Sequence, residues 1–221
     1  MYISSLTNIE NYNNSEKTSS IEKAKSDDFE SLISSTKSIN KTTTPKMEEK
    51  EIGLYIHMPF CKQKCYYCDF VSYPNRYEMV ERYIKCLKSE IVQYANENRI
   101  MHEHGLEPKF IIKTIYIGGG TPSSIDELYI LNVMETIKAN FEIDEEAEIT
   151  IEVNPGTASK EKLKTYKEAG INRISIGLQA VQDRLLKSIG RIHNYSDFEN
   201  TFEWAREVGF DNINVDLMLA L

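Results

Sequence analysis

The chain of 221 residues carries 34 acidic against 26 basic side chains, a formal charge of −8, and 41% of it is hydrophobic. That balance argues against nucleic acid or an anionic membrane as the main partner, and no apolar run approaches the ~20 residues that cross a bilayer. Residues 1–20 are polar and lack the apolar core of a signal peptide, so the thiols are expected to stay reduced and the protein to be cytoplasmic.

Residues 1–50 are rich in Ser, Thr, Asn and Lys and hold no glycine. Such a stretch buries too little to offset its ordering entropy and is expected to be a disordered extension. Residues 51–221 suffice for one core. The first expected strand is Leu54-Tyr55-Ile56, and a helix follows over residues 76–98 with Tyr77, Val80, Ile84, Leu87, Ile91 and Tyr94 on one face. Cys86 falls on that helix and is expected to be an inert thiol, whereas His102 and His104 read as surface loop residues. A second strand covers residues 114–117. Ser124-Ile-Asp-Glu127 has the form of a capping box, opening a helix whose face is Leu128, Leu131, Met134 and Ile137. A third strand covers residues 148–153, and Leu163, Tyr166 and Ala169 mark the helix after it.

The segment from Glu168 through Gly170 to Ile176 is echoed by the one from Glu207 through Gly209 to Val215. Each glycine suits the left-handed cap that ends a helix before a strand, and Ser196-Asp-Phe-Glu199 caps the helix between them. Strands alternating with helices imply a parallel sheet with right-handed crossovers. These strands alternate in polarity instead of reading as continuous apolar runs. Ile115 and Ile117 alternate with Thr114, Tyr116 and Gly118; Ile149, Ile151 and Val153 with Thr150 and Glu152; Ile174, Ile176 and Leu178 with Ser175, Gly177 and Gln179; Ile213, Val215 and Leu217 with Asn214 and Asp216. One face therefore takes the helices. The other lines a polar lumen, with Tyr55, Gly118, Glu152, Gln179 and Asp216 near the carboxyl ends of the strands, where such folds place their sites.

Cys61, Cys65 and Cys68 lie within eight residues just beyond the first strand. Three thiolates leave a cubane [4Fe–4S] cluster one ligand short, so one iron would remain open to an exchangeable ligand. With His57 the same cysteines also make a Cys3His set for structural zinc, although zinc sites mostly use two separated ligand pairs and no second pair occurs. Gly118-Gly119-Gly120-Thr121-Pro122 follows the second strand. It lets a ligand approach the backbone closely, but it has neither P-loop nor Rossmann spacing.

The run Tyr55-Ile-His57-Met-Pro-Phe-Cys61-x3-Cys65-Tyr-Tyr67-Cys68-Asp-Phe70 resembles the cluster motif of the radical S-adenosylmethionine (SAM) superfamily. Gly118-Gly-Gly-Thr-Pro-Ser123, Glu152-Val-Asn-Pro-Gly-Thr157, Ser175-Ile-Gly-Leu-Gln179, Gly190-Arg-Ile-His193 and Asn214-Val-Asp-Leu-Met218 match in order. More narrowly the chain resembles the oxygen-independent coproporphyrinogen III oxidase family, and within it the heme-chaperone branch. The resemblance implies a partial (β/α)6 barrel, ending after about the fifth strand where family members continue into a sixth βα unit and a C-terminal domain.

The resemblance further implies Cys61, Cys65 and Cys68 as ligands of a [4Fe–4S] cluster, whose open iron takes the methionine end of SAM. Tyr55, Tyr67, Gly119, Gly120, Thr121 and Glu152 would border SAM, and Gln179, Arg191 and Asp216 match positions that meet a second SAM in the oxidase branch. A reductant would load the cluster, whose electron would cleave SAM to a 5′-deoxyadenosyl radical. The implied function is delivery of heme to acceptor proteins. The rival is oxidative decarboxylation of coproporphyrinogen III, and a non-functional truncated fragment is the third reading. Oxidases typically carry a further cysteine two residues after the third, where this chain has Phe70, and that favours the chaperone branch.

Overall fold

The computed structural model describes residues 2–3 and 49–221. Its main sheet contains β1 (Tyr2–Ile3), β2 (Lys50–Met58), β5 (Phe110–Gly119), β6 (Glu142–Val153), β7 (Arg173–Gln179) and β8 (Asn212–Leu217), in that spatial order. Every neighbouring pair is parallel. Two dipeptides, β3 (Phe60–Cys61) and β4 (Tyr73–Pro74), pair separately and bracket the cysteine loop. Helices α1 (Val80–Glu103), α2 (Glu127–Asn140), α3 (Lys160–Glu168), α4 (Asp183–Ser188) and α5 (Tyr195–Glu207) supply the crossovers. The architecture is the expected parallel βα order. Of the expected disordered extension over residues 1–50, Tyr2–Ile3 pairs beside Tyr55 and Ile56 of β2, residues 4–48 lie outside the described residues, and Lys50 already belongs to β2.

Strands β2, β5, β6 and β7 produce the two faces anticipated from their alternation, whereas on the edge strand β8 Ile213 packs only partly against the core and Leu217, expected on the helix-packed face, is exposed. Leu54, Ile56, Ile115, Ile117, Ile151, Val153, Ile174 and Ile176 are buried in one core with Leu87 and Ile91 of α1, Ile130, Val133, Met134 and Ile137 of α2, and Leu163 and Tyr166 of α3. Phe60 packs edge-on against Tyr83, with ring centroids 5.3 Å apart and planes at 89°. The Tyr83 hydroxyl donates to the His57 carbonyl at 2.5 Å. The chain entering the cysteine loop is thus anchored to α1 before the first cysteine is reached.

Several local expectations need correction. Strands β2, β5 and β6 begin four to six residues earlier than their apolar alternation. Their first residues are held by ladder hydrogen bonds and by surface ion pairs, Lys113 with Asp144 at 2.7 Å among them. The residue capping α2 is Asp126, whose carboxylate accepts from Leu128 N–H at 2.8 Å, and not Ser124. Ser124 sits in a 3₁₀ turn and donates to the Phe60 carbonyl at 3.2 Å. The start of α2 is thereby rotated, and Leu128 is 57% exposed. Asn194 forms the capping box of α5 with Asp197, two residues before the expected cap. His102 lies in the last turn of α1, which runs to Glu103. Helix α4 is an element the periodicity did not reveal. Gly170 and Gly209 both adopt φ +90°, the left-handed caps expected of the repeated helix-to-strand unit.

Candidate functional site

At the carboxyl ends of β5, β6, β7 and β8 the sheet faces the cysteine loop across a cleft of about 300 Å³. It is lined by Cys61, Cys65, Tyr67, Cys68, Gly119, Gly120, Thr121, Glu152, Gln179, Arg191 and Asp216, which is every residue expected to hold the cluster or border SAM except Tyr55. Tyr55 lies beneath this layer. Its ring stacks on Tyr116 at 6.0 Å and its hydroxyl meets His57 Nδ1 at 3.2 Å. A larger concavity of about 1610 Å³ runs between α1 and α2, but it contains none of these groups.

The cysteine loop is held by its backbone. Tyr73 N–H donates to the Pro59 carbonyl at 2.7 Å, Asn75 N–H to the Cys61 carbonyl at 3.0 Å and Tyr66 N–H to the Ile189 carbonyl at 3.0 Å. The glycine loop lies along the same segment, with Gly120 N–H donating to the Met58 carbonyl and Thr121 N–H to the Phe60 carbonyl, both at 2.8 Å. A Cβ on Gly119, at φ +119°, would come within 2.6 Å of the His57 ring. That position therefore needs glycine for both space and backbone conformation.

All four cysteines are free thiols. Burial pushes the Cys61 thiol up, opposed by a hydrogen bond from Thr121, whose hydroxyl lies 3.5 Å from Sγ. Arg191 Nη1 lies 3.7 Å from Cys65 Sγ. The donor set suits an iron–sulfur cube better than a zinc ion. Structural zinc is almost always held by four protein ligands in a tetrahedron, and in this loop the fourth would have to be His57. His57, the fourth zinc ligand in that reading, has both ring nitrogens engaged, Nε2 with the Val71 carbonyl at 2.8 Å and Nδ1 with Tyr55. Burial also depresses its pKa. Three thiols lining one cleft leave the side opposite them open to an exchangeable ligand.

On the sheet side, Glu152 Oε1 accepts from the Tyr116 hydroxyl at 2.9 Å and Oε2 from Gly119 N–H at 3.1 Å. Burial nevertheless holds its carboxyl above the usual range. Asp216 accepts from Ser175 Oγ at 3.2 Å and from Asn214 Nδ2 at 2.7 Å. Gln179, a non-glycine at φ +70°, ends β7 where the ladder with β8 shifts register.

Sequence reasoning did not assign Tyr116, Asn154, Lys162 or His193. Lys162 Nζ donates to the carbonyls of Ser123 at 3.0 Å, Ile125 at 2.8 Å and Thr157 at 3.4 Å, tying the turn after the glycine loop to α3. Asn154 Oδ1 accepts from Arg191 Nη2 at 2.8 Å and faces His193 Nδ1 at 3.1 Å. Asn154 and His193 stand inside motifs already noted for their neighbours, and Tyr116 already belonged to the lumen phase; that phase was the available signal.

Comparison with known proteins gives the same family. The model of the radical SAM superfamily matches residues 55–221. The heme chaperone HemW of Bacillus subtilis (strain 168) is 41% identical over 168 residues, covering 76% of this chain and 42% of that protein. HemW of Escherichia coli (strain K12) is 37% identical, covering 77% and 43%. The solved structure of the Escherichia coli radical SAM enzyme HemN, a coproporphyrinogen III oxidase, superposes with a TM-score of 0.68 at 27% identity, covering 79% of this chain and 38% of that one. The chain thus spans less than half the length of these relatives.

Proposed function

As this chain belongs to the radical SAM superfamily, we propose that residues 51–221 are the [4Fe–4S]- and SAM-binding core of a cytoplasmic heme-chaperone-type protein. In this reading Cys61, Cys65 and Cys68 hold the cluster. Tyr67, Gly119, Gly120, Thr121 and Glu152 border SAM, with Tyr55 supporting that wall from beneath, and Gln179, Arg191 and Asp216 form the far side. The bound cluster and SAM supply one-electron chemistry when a reductant is present. The chain's own residues hold the three thiols in one loop, set the side-chain-free backbone of the glycine loop against it and place the Glu152 carboxyl on the facing wall.

The observation that carries the reading is the convergence of the cysteine loop, the glycine loop and four strand ends on one cleft. The likeness to HemW at 37–41% identity supports heme as the cargo and heme-accepting proteins as its destination. The alternative is the oxidase reaction, supported by the structural likeness to HemN. Phe70 weighs against it: it stands two residues beyond Cys68 in place of the oxidases' further cysteine and is 68% exposed.

Anaerobic reconstitution of the chain should yield about four irons and four sulfides. Cys65→Ser should abolish this, and Cys86→Ser, on α1 away from the cleft, should leave it unchanged. Stoichiometric zinc without sulfide would refute the cluster. Heme binding without coproporphyrinogen decarboxylation would support the chaperone, and the converse would support the oxidase.

A further inference from the structure

Arg191 is held more firmly than contact with a diffusible ligand requires. Its Nη2 donates to Asn154 Oδ1 at 2.8 Å and to the Gly177 carbonyl at 2.6 Å, while Nη1 faces Cys65 Sγ at 3.7 Å and the Tyr67 hydroxyl at 3.4 Å. A Cβ on Gly177 would stand 3.1 Å from Nη2, so the bare backbone there makes room for the guanidinium. Asn154 is in turn braced by His193 at 3.1 Å. The planar fork is thereby clamped between the end of β6, the interior of β7 and the cysteine loop, with one N–H directed at a cysteine sulfur.

We propose that Arg191 is a positioning residue for the cluster, which fixes the Cys65 sulfur by an N–H···S bond and raises the cluster's reduction potential. The inference rests on the reading that Cys65 is a cluster ligand. Hydrogen bonds to cluster sulfurs and nearby charge are among the principal levers a protein has on such potentials. Arginine keeps its charge at every accessible pH. Adding one electron to the cluster places an extra negative charge beside a fixed cation, so the reduced state gains more from Arg191 than the oxidised state does. Asn154 and Gly177 act through Arg191 by setting where its fork lies.

The test compares wild type, Arg191→Gln, Arg191→Lys and Asn154→Ala after anaerobic reconstitution. Iron and sulfide are counted first, and the SAM-free midpoint potential is then measured by mediator titration followed by electron paramagnetic resonance, the mediator supplying the electron. At the wild-type midpoint, Arg191→Gln should show at least a tenfold lower ratio of reduced to oxidised cluster, equivalent to 59 mV for a one-electron couple. Asn154→Ala should shift in the same direction by less, and Arg191→Lys should recover part of the loss. Wild-type midpoints in Arg191→Gln and Asn154→Ala at full cluster content would overturn the proposal while leaving the cluster intact. If Arg191→Gln fails to hold iron, an unshifted midpoint in Asn154→Ala overturns it equally. A wild-type chain that takes up no sulfide would overturn the cluster reading itself, and this inference with it.

Discussion

Gly120→Ala adds one carbon where the glycine loop lies against the backbone of the cysteine loop. That carbon would lie 2.8 Å from the Phe60 carbonyl oxygen, 2.9 Å from the Pro59 carbonyl carbon and 3.0 Å from Cys61 Sγ. The nearest two are backbone atoms with little freedom. The Phe60 carbonyl accepts from Thr121 N–H at 2.8 Å and Ser124 Oγ at 3.2 Å, and the Phe60 side chain is 3% exposed in the core. Reaching an ordinary contact of ~3.5 Å requires the glycine loop and the cysteine loop to part by about 0.7 Å. Overpacking of this kind costs about 1–3 kcal/mol, or about 3–9 °C in Tm for a domain of this size.

Gly209→Ala separates crowding from backbone conformation. Gly209 has φ +90° but open space, its added carbon coming no closer than 4.0 Å to Lys167 Cε. It should cost only the left-handed penalty, about 1–2 kcal/mol. The assay is a thermal melt of each reconstituted chain with its iron and sulfide content. Both variants should melt lower, but only Gly120→Ala should also lose iron, because only it pushes on the loop that carries Cys61. Full iron and an unchanged Tm in Gly120→Ala would refute the claim that the two loops are in rigid contact.

Tyr116→Phe removes one of two hydrogen bonds to Glu152 and should raise that carboxyl's pKa further, read by carbon NMR, and weaken SAM binding by about tenfold; an unmoved Glu152 resonance would refute the link. Gln179→Gly relieves the strained φ of +70° and should leave Tm unchanged or raise it while weakening SAM binding, so a marked fall in Tm would show that the Gln179 side chain is structural. His193 is 4% exposed, and burial followed by the Arg191 charge pushes its pKa down to about 4. The unfolded chain binds this proton near pH 6.5, so the stability His193 contributes is complete above that pH and is lost as pH falls from about 6.5 to 4. Denaturant unfolding between pH 8 and 4 should therefore show wild type losing more stability than His193→Gln, and parallel curves would refute the shift.

The alternation of Ile115, Ile117, Ile149 and Ile151 with polar residues determined which face of each strand is buried, because a strand's side-chain period of two admits only one register once a core exists. The spacing of Cys61, Cys65 and Cys68 likewise required a loop that presents three thiols together, and the repeated Gly170 and Gly209 marked two helix ends. Local chemistry of this kind is legible because it depends on neighbours along the chain.

What depends on neighbours across the sheet was not legible. Ser124 and Asp126 are both competent caps, and the choice fell to Asp126 because Ser124 is engaged by Phe60, a residue 64 positions away. The pairing of Tyr116 with Glu152, the clamp of Asn154 on Arg191 and the placing of Tyr55 beneath the cleft all follow from strand register and from the route of the loop after α4. Hydrogen bonds hold only within a few tenths of an ångström, and only the packed core sets distances that finely between residues so far apart in the chain.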